Sequence, residues 1–384
     1  MNQDHAGSSR REFFSRTGAA AAGAFSFVRP EAVRGSQANS KVTVGLIGCG
    51  GRGAYDTGFV AKDERAQVVA LCDLFEDRTE AARKQLGLES AKIYKEFEKL
   101  LASDVDAVII ATPPFEHPRM LDAAVQANKH IYCEKPMGVD AAGCKKVIAA
   151  GKKLDKKKNL FVGFQQRYGP VYLEAYRRLK EGQIGELAGA RGYWISQDPF
   201  KRRPYDDPKV EKLRNWFCYK ELSGDFIVEQ DCHNFDVLHW FLGGLPVSAV
   251  GYGGRKVRTT IDLMDHLSLT YRFPNGVDVA YEANQMTPPG YAKVGEEFTG
   301  TKGVLLTSRR SMTHIKGPKP EDREVMQSEG DITQDALKTF IGNIKNGEAE
   351  NVAERSALST MIAILGRTAL YTGKEVTWKK LYGG

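Results

Sequence analysis

A histidine with a carboxylate one helical turn away on either side is an arrangement from which proton transfer can be built. The segment SGDFIVEQDCHNFDVLHWFLGG, Ser223 to Gly244, contains one. On a continuous helix Glu229 and His233 are four residues apart and His233 and Asp236 three, so all three share a face. Either carboxylate would set the imidazole tautomer and raise its proton affinity. Asp231, two residues from His233, points elsewhere on such a helix. Ser223 or Asp225 can cap it and Gly243-Gly244 end it. His239 and His266 lack this company and read as structural.

A second group of residues has the spacing for holding phosphate. Gly48, Gly50 and Gly53, with Gly51 and Arg52 among them, fit G-x-G-x-x-G at the end of the apolar run Val42 to Ile47. The first glycine permits a tight turn, the second lets backbone approach a pyrophosphate, and the third lets helix pack on strand. The helix N-terminus then offers free N–H groups to the phosphates. Asp73 follows Gly48 by 25 residues at the end of QVVALCD, where an acid binds the adenosine ribose and repels a 2′-phosphate. Arg78 could still neutralise that phosphate, so NAD(H) is favoured and NADP(H) remains possible.

These residues need a doubly wound parallel sheet to position them, and the sequence supplies the alternation. Strands are expected at Asp106–Pro114, His130–Pro136 and Asn159–Phe164, and helices at 115–127 and 140–154. Ligands of such sheets lie beyond the carboxyl ends of the strands. Thr112, Pro113, His117, Glu134 and Lys135 fall at those ends and are candidate cofactor contacts. Removing hydride from a secondary alcohol needs a base for the hydroxyl proton and a cation to steady the developing alkoxide. Lys135, held by a strand end and a following proline, can supply that cation, and His233 the base.

GLIGCGGRG, the acid at Asp73, TPPFEHP and CEKPMG together resemble the Gfo/Idh/MocA oxidoreductase family. The resemblance implies an N-terminal Rossmann domain and a C-terminal α/β domain with a large, mostly antiparallel open sheet. It implies a nicotinamide-dependent reaction on sugars, cyclitols or related polyols, and a dimer or tetramer. It supports His233 within a D-x-x-x-H pattern, although Glu229 stands where Asp is usual and Asp231 where glycine is common. Asp231 could therefore be drawn into the site. Gln165-Gln166-Arg167-Tyr168 resembles a family segment near cofactor and substrate, which makes Arg167 and Tyr168 candidate substrate contacts. Four partly alternating stretches between Glu186 and Gln285 read as strands, and helices are expected at Ile332–Asn346 and about 353–371. Trp216, in the long loop from Gln197 to Leu222, offers an indole face to a sugar ring.

The first residues carry a different message. Arg10-Arg11, Phe13-Phe14 and the small-residue run from Gly18 to Ala24 resemble a twin-arginine export signal, with Ser36-Gln37-Ala38 as a cleavage site. The expected organisation is a signal at 1–38, a dinucleotide-binding domain at 39–165 and a substrate-binding and oligomerisation domain at 166–384. Periplasmic location follows. Such an enzyme must carry a tightly bound cofactor through the membrane and regenerate it within each cycle. The alternatives are a redox-neutral glycosidase or lyase working through transient sugar oxidation, and a non-catalytic cofactor-binding sensor.

Bulk properties narrow the field. The chain of 384 residues has a formal charge of +7, of which residues 1–38 hold +2, and the remainder is spread along the chain, giving no reason to propose nucleic acid. No apolar stretch after Val28 approaches a membrane span, so no stable insertion is expected once the signal is removed. The six cysteines show neither close pairs nor metal-ligand spacing, and no metal site is expected. The expected partner is a small sugar or glycoside.

Overall fold

The computed structural model describes residues 41–199 and 201–383, so the whole of the expected signal lies outside the described residues. A six-stranded parallel sheet is built from β1 (Val42–Ile47), β2 (Ala66–Cys72), β3 (Lys92–Tyr94), β4 (Ala107–Ile110), β5 (His130–Cys133) and β6 (Leu160–Val162). Its order is β3-β2-β1-β4-β5-β6, the Rossmann order. Val44, Leu46, Val108, Ile109 and Ile131 are fully buried, because helices cover both faces and leave no polar side to the strands.

A second sheet contains β7 (Leu187–Ile195), β8 (Ser248–Gly254), β9 (His266–Arg272), β10 (Asp278–Asn284), β11 (Lys293–Gly300), β12 (Val304–Thr307), β13 (Ser311–Ile315), β14 (Arg323–Gln327) and β15 (Val376–Thr377). Its nine strands run β14-β13-β12-β11-β7-β10-β9-β8-β15. Only β7 and β10 pair in parallel; the other neighbours are antiparallel. In β9 buried Leu267, Leu269 and Tyr271 alternate with exposed Ser268, Thr270 and Arg272, so one face is packed and the other is open.

The helix Ala353–Thr372 fills the space between the sheets. It is buried on nearly every side, packing on the helix Ala141–Lys153 and on the inner face of the second sheet. The preceding helix, Ile332–Asn346, belongs to the first sheet. Its Ala336, Leu337, Phe340 and Ile341 share a core with Val44, Leu46, Tyr132 and Phe161, and Phe340 lies 5.4 Å from Phe161, centroid to centroid. The stretch that follows pairs in parallel beside the start of β6: Leu160 N donates to Glu350 O at 2.8 Å and Val352 N to Leu160 O at 3.0 Å. Residues 332–352 thus return from beyond the expected 165/166 boundary to complete the core on one face of the first sheet.

The expected single helix around His233 is also corrected. It is two helices, Phe226–Glu229 and Cys232–Leu242, with Gln230 and Asp231 between them. All six cysteines are buried free thiols. Burial pushes the Cys72 thiol up to about 12 and that of Cys218 up to about 11, so both stay protonated. No described helix is long and apolar enough to cross a membrane.

Candidate active site

The glycine loop has the geometry its spacing requires. Gly48 has φ +95°, and a Cβ there would come within 2.6 Å of the Ala111 backbone. A Cβ on Gly53 would lie 1.9 Å from Gly48 O, so only glycine lets the helix Gly51–Ala61 sit against β1. At Gly50 the space is open, with Arg78 Nη1 at 3.8 Å as the nearest neighbour. That opening is where a pyrophosphate can approach the backbone. Asp73 accepts from Cys49 N at 2.9 Å and from Phe75 N at 3.0 Å, which fixes the acid at the lip of the same loop.

Gly48, Gly50, Asp73 and Arg78 border a groove of about 420 Å³ whose walls also include Arg52, Thr112 and Pro113. The donor set fits a dinucleotide: an exposed helix N-terminus, a glycine cradle and a ribose-directed acid. Among the described residues, no cluster of three or more His, Cys, Asp or Glu is placed to hold a metal ion.

A second cavity of about 330 Å³ adjoins the groove and shares Arg52, Ala111, Thr112 and Trp216 with it. Lys135, Glu134, Glu229, His233 and Trp194 line it. Lys135 Nζ donates to Glu229 Oε1 at 3.1 Å and to the Glu229 carbonyl oxygen. Burial works against the ammonium, but the Glu229 carboxylate, with Cys232 and Glu134, outweighs it and holds the pKa above the usual lysine value. Lys135 therefore stays charged.

His233 sits differently from the sequence expectation. Neither Glu229 nor Asp236 contacts its ring nitrogens; Glu229 is held by Lys135 and Asp236 by Arg167. The break at Gln230 and Asp231 puts Glu229 on a different helix, which removes the shared face. His233 Nδ1 instead donates to Gln166 Oε1 at 3.1 Å, leaving Nε2 with its lone pair. Trp194 stacks parallel to the ring at 6.1 Å and Phe164 meets it edge-on at 5.9 Å. Burial, then the positive charges of Lys135, Arg52 and Arg309, push the imidazole pKa well below its ordinary value. The imidazole is a neutral base, opposite to the raised proton affinity that flanking carboxylates would give.

Several other expected contacts lie elsewhere. Arg167 forms a bidentate ion pair with Asp236 at 2.8 and 2.9 Å, and Ser359 donates to the same carboxylate, so both residues join elements behind the cavity. Tyr168 stacks on Phe161 in the first core. Asp231 is fully buried, its carboxyl pushed well up by desolvation, and does not line the cavity. His117 is a staple rather than a cofactor contact: its nitrogens meet Pro136 O and Thr112 O, each at 2.8 Å, tying together the loops after β4 and β5. Arg52 and Glu134 pair at 2.8 Å, linking the glycine-loop helix to the end of β5.

Gln166, Trp194, Gln230 and Arg309 were not among the candidates. Trp194 carried a weak signal, an aromatic at the end of an alternating strand. Arg309 carried none, because the turn between β12 and β13 has no distinguishing pattern.

Fold and site together define a two-domain nicotinamide-dinucleotide-binding protein. Residues 42–164 match the family model for the Gfo/Idh/MocA oxidoreductase family with its NAD-binding Rossmann fold, and residues 172–306 match the Gfo/Idh/MocA C-terminal domain. The inositol 2-dehydrogenase of Rhizobium meliloti is 32% identical over 281 residues, 72% of this chain and 78% of the relative. The myo-inositol 2-dehydrogenase of Thermotoga maritima is 25% identical over 352 residues, 88% of this chain and 99% of its own. The crystal structure of myo-inositol 2-dehydrogenase from Lactobacillus plantarum superposes with a TM-score of 0.72 at 23% identity, covering 88% of this chain and 99% of that one. This chain belongs to the Gfo/Idh/MocA oxidoreductase family.

Proposed function

We propose that the protein interconverts a secondary alcohol and a ketone on a cyclic polyol or sugar, using NAD(H) held in the groove beside Gly50 and Asp73. One observation carries this reading: Lys135 and His233 line a single cavity that shares four wall residues with the dinucleotide groove. NAD bound there supplies the acceptor for the hydride leaving the alcohol carbon. His233 Nε2 takes the hydroxyl proton, and neutrality makes it ready to do so at pH 7. Lys135, whose side chain is largely buried, steadies negative charge growing on the oxygen. Glu229 fixes the ammonium, and Gln166 and Trp194 fix the imidazole. Lys135, His233 and Glu229 are thus assigned to catalysis, and Trp216 to the wall between substrate and cofactor. The dehydrogenase names of the relatives support an inositol-like substrate.

The test is reduction of the bound NAD, read at 340 nm in a single turnover on mixing with inositols or aldoses, alongside an aryl-glycoside assay. Polyol-dependent NADH formation supports the proposal. Release of aryl alcohol without net NADH would replace it with the redox-neutral cleavage reading.

Export with a firmly held cofactor is part of the proposal, supported by Arg10-Arg11 and by six buried thiols that make the fold independent of an oxidising compartment. Changing both arginines to lysine should retain the protein in the cytoplasm on fractionation. Association through the open face of the second sheet, where Val250 and Tyr252 are exposed, is the accompanying expectation. Light scattering should show a mass above that of one chain, and a monomer would refute it.

A further inference from the structure

The dinucleotide groove has a roof supplied by the second half of the chain. Leu213, Arg214, Trp216 and Phe217, from the connection after β7, line the groove opposite Gly50, Asp73 and Thr112. This roof is a built unit. Asp207 caps the helix Pro208–Arg214, accepting from Lys209 N at 2.7 Å. Buried Asn215 ties the helix to the preceding strand of chain, donating to Arg203 O at 2.7 Å and Glu211 Oε1 at 2.9 Å and accepting from Arg203 N at 2.9 Å. Phe217, Cys218 and Tyr219 then form a small core with Ile261 and Leu263, which anchors it to the C-terminal sheet domain.

Where the roof reaches the first domain, Arg214 makes the junction. Its guanidinium donates to both carboxylate oxygens of Asp77, at 2.8 and 2.5 Å. It also lies 4.0 Å over the Phe75 ring and 5.4 Å from that of Tyr205, so it is held between two aromatic faces. Phe75 is the N-cap and Asp77 lies in the first turn of the helix Glu76–Leu86 that follows β2, and Asp73 holds the start of that helix by accepting from Phe75 N. The clasp therefore closes directly over the place where the adenosine ribose would sit.

We propose that residues 207–219 form a strap across the dinucleotide groove and that Arg214, clasped to Asp77 and Phe75, governs release of the bound dinucleotide. This rests on the reading of the groove as an NAD(H) site. Arg214 is a positioning residue, remote from the reacting carbon. A rigid strap anchored at its base opens by parting the Arg214 clasp, so the clasp weighs on dissociation more than on association.

The experiment is stopped-flow dissociation of NADH from the full chain, followed by nicotinamide fluorescence after mixing with excess NAD+. Arg214→Ala and Asp77→Asn should each accelerate release by about tenfold or more, the change expected from losing ~1.4 kcal/mol. The association rate and the melting temperature of the ligand-free protein should stay close to wild type. Release from both variants at the wild-type rate overturns the strap and leaves the cofactor reading standing. Failure of the wild-type protein to bind NADH at all overturns both.

Discussion

The Lys135 ammonium and the Glu229 carboxylate form a largely buried ion pair at 3.1 Å that joins the end of β5 to a helix of the second domain. The pair places a permanent cation in the cavity by an interdomain contact rather than by local sequence. Replacing Lys135 with Met keeps its volume and removes the charge. Loss of one stabiliser of a developing oxyanion costs about 10²–10³ in kcat. Polyol oxidation should fall by that order while NADH still binds, as measured by fluorescence titration. Unchanged kcat would remove Lys135 from the reaction.

His233 should titrate on the acid side of its usual range. Burial and neighbouring cations depress its pKa, so the base form persists below the reference value of about 6.5. The acid limb of kcat/KM for oxidation should therefore lie below pH 6.5, and His233→Gln should lower kcat by about 10²–10⁴. A limb centred above pH 7 would mean that carboxylates, not cations, control this histidine.

Two glycines only two residues apart, Gly51 and Gly53, should respond in opposite ways. A Cβ at Gly53 meets Gly48 O, whereas one at Gly51 meets nothing within 4 Å. Gly53→Ala should abolish NADH binding and lower Tm. Gly51→Ala, at the start of a helix, should hold or raise Tm, since alanine is favoured there by up to about 1 kcal/mol. Calorimetry of the two variants decides it.

His130 gives an acid-stability prediction. Burial, then Lys158, lowers its pKa to about 4, so the folded protein keeps it neutral while the unfolded chain protonates near 6.5. Its contribution is present above the unfolded value and is lost as pH falls through the folded one. The Tm difference between wild type and His130→Gln should therefore move in favour of the variant between about pH 6.5 and 4. A difference independent of pH would show that His130 does not titrate in that window.

Much of the Rossmann half was legible, because buried parallel strands are continuous β-branched runs and the glycine spacing marks its loop. The expected helix Ile332–Asn346 agrees with the structure to the residue, since its apolar period is clean. β11 to β14 have no clear strand pattern because they carry glycine, charged side chains and a buried acid: Glu296 lies inside, accepting from Asn234 and Thr307. The site divides in the same way. Lys135 and the glycine loop are local signals, whereas the partners of His233 come from β7 and from the turn after β6. The break at Gln230-Asp231 has no glycine or proline to announce it, and it takes Glu229 from the histidine, while Asp236, still on the helix of His233, is drawn off by the distant Arg167.

The return of residues 332–352 to the first sheet has a consequence for biosynthesis. Until residues 332–352 leave the ribosome, the dinucleotide-binding domain lacks Phe340 and its neighbours and leaves the core around Val44, Leu46 and Phe161 incomplete. The first sheet thus waits on a segment made long after its own strands, and a nascent chain halted before Ile332 presents an open apolar surface for chaperones to shield.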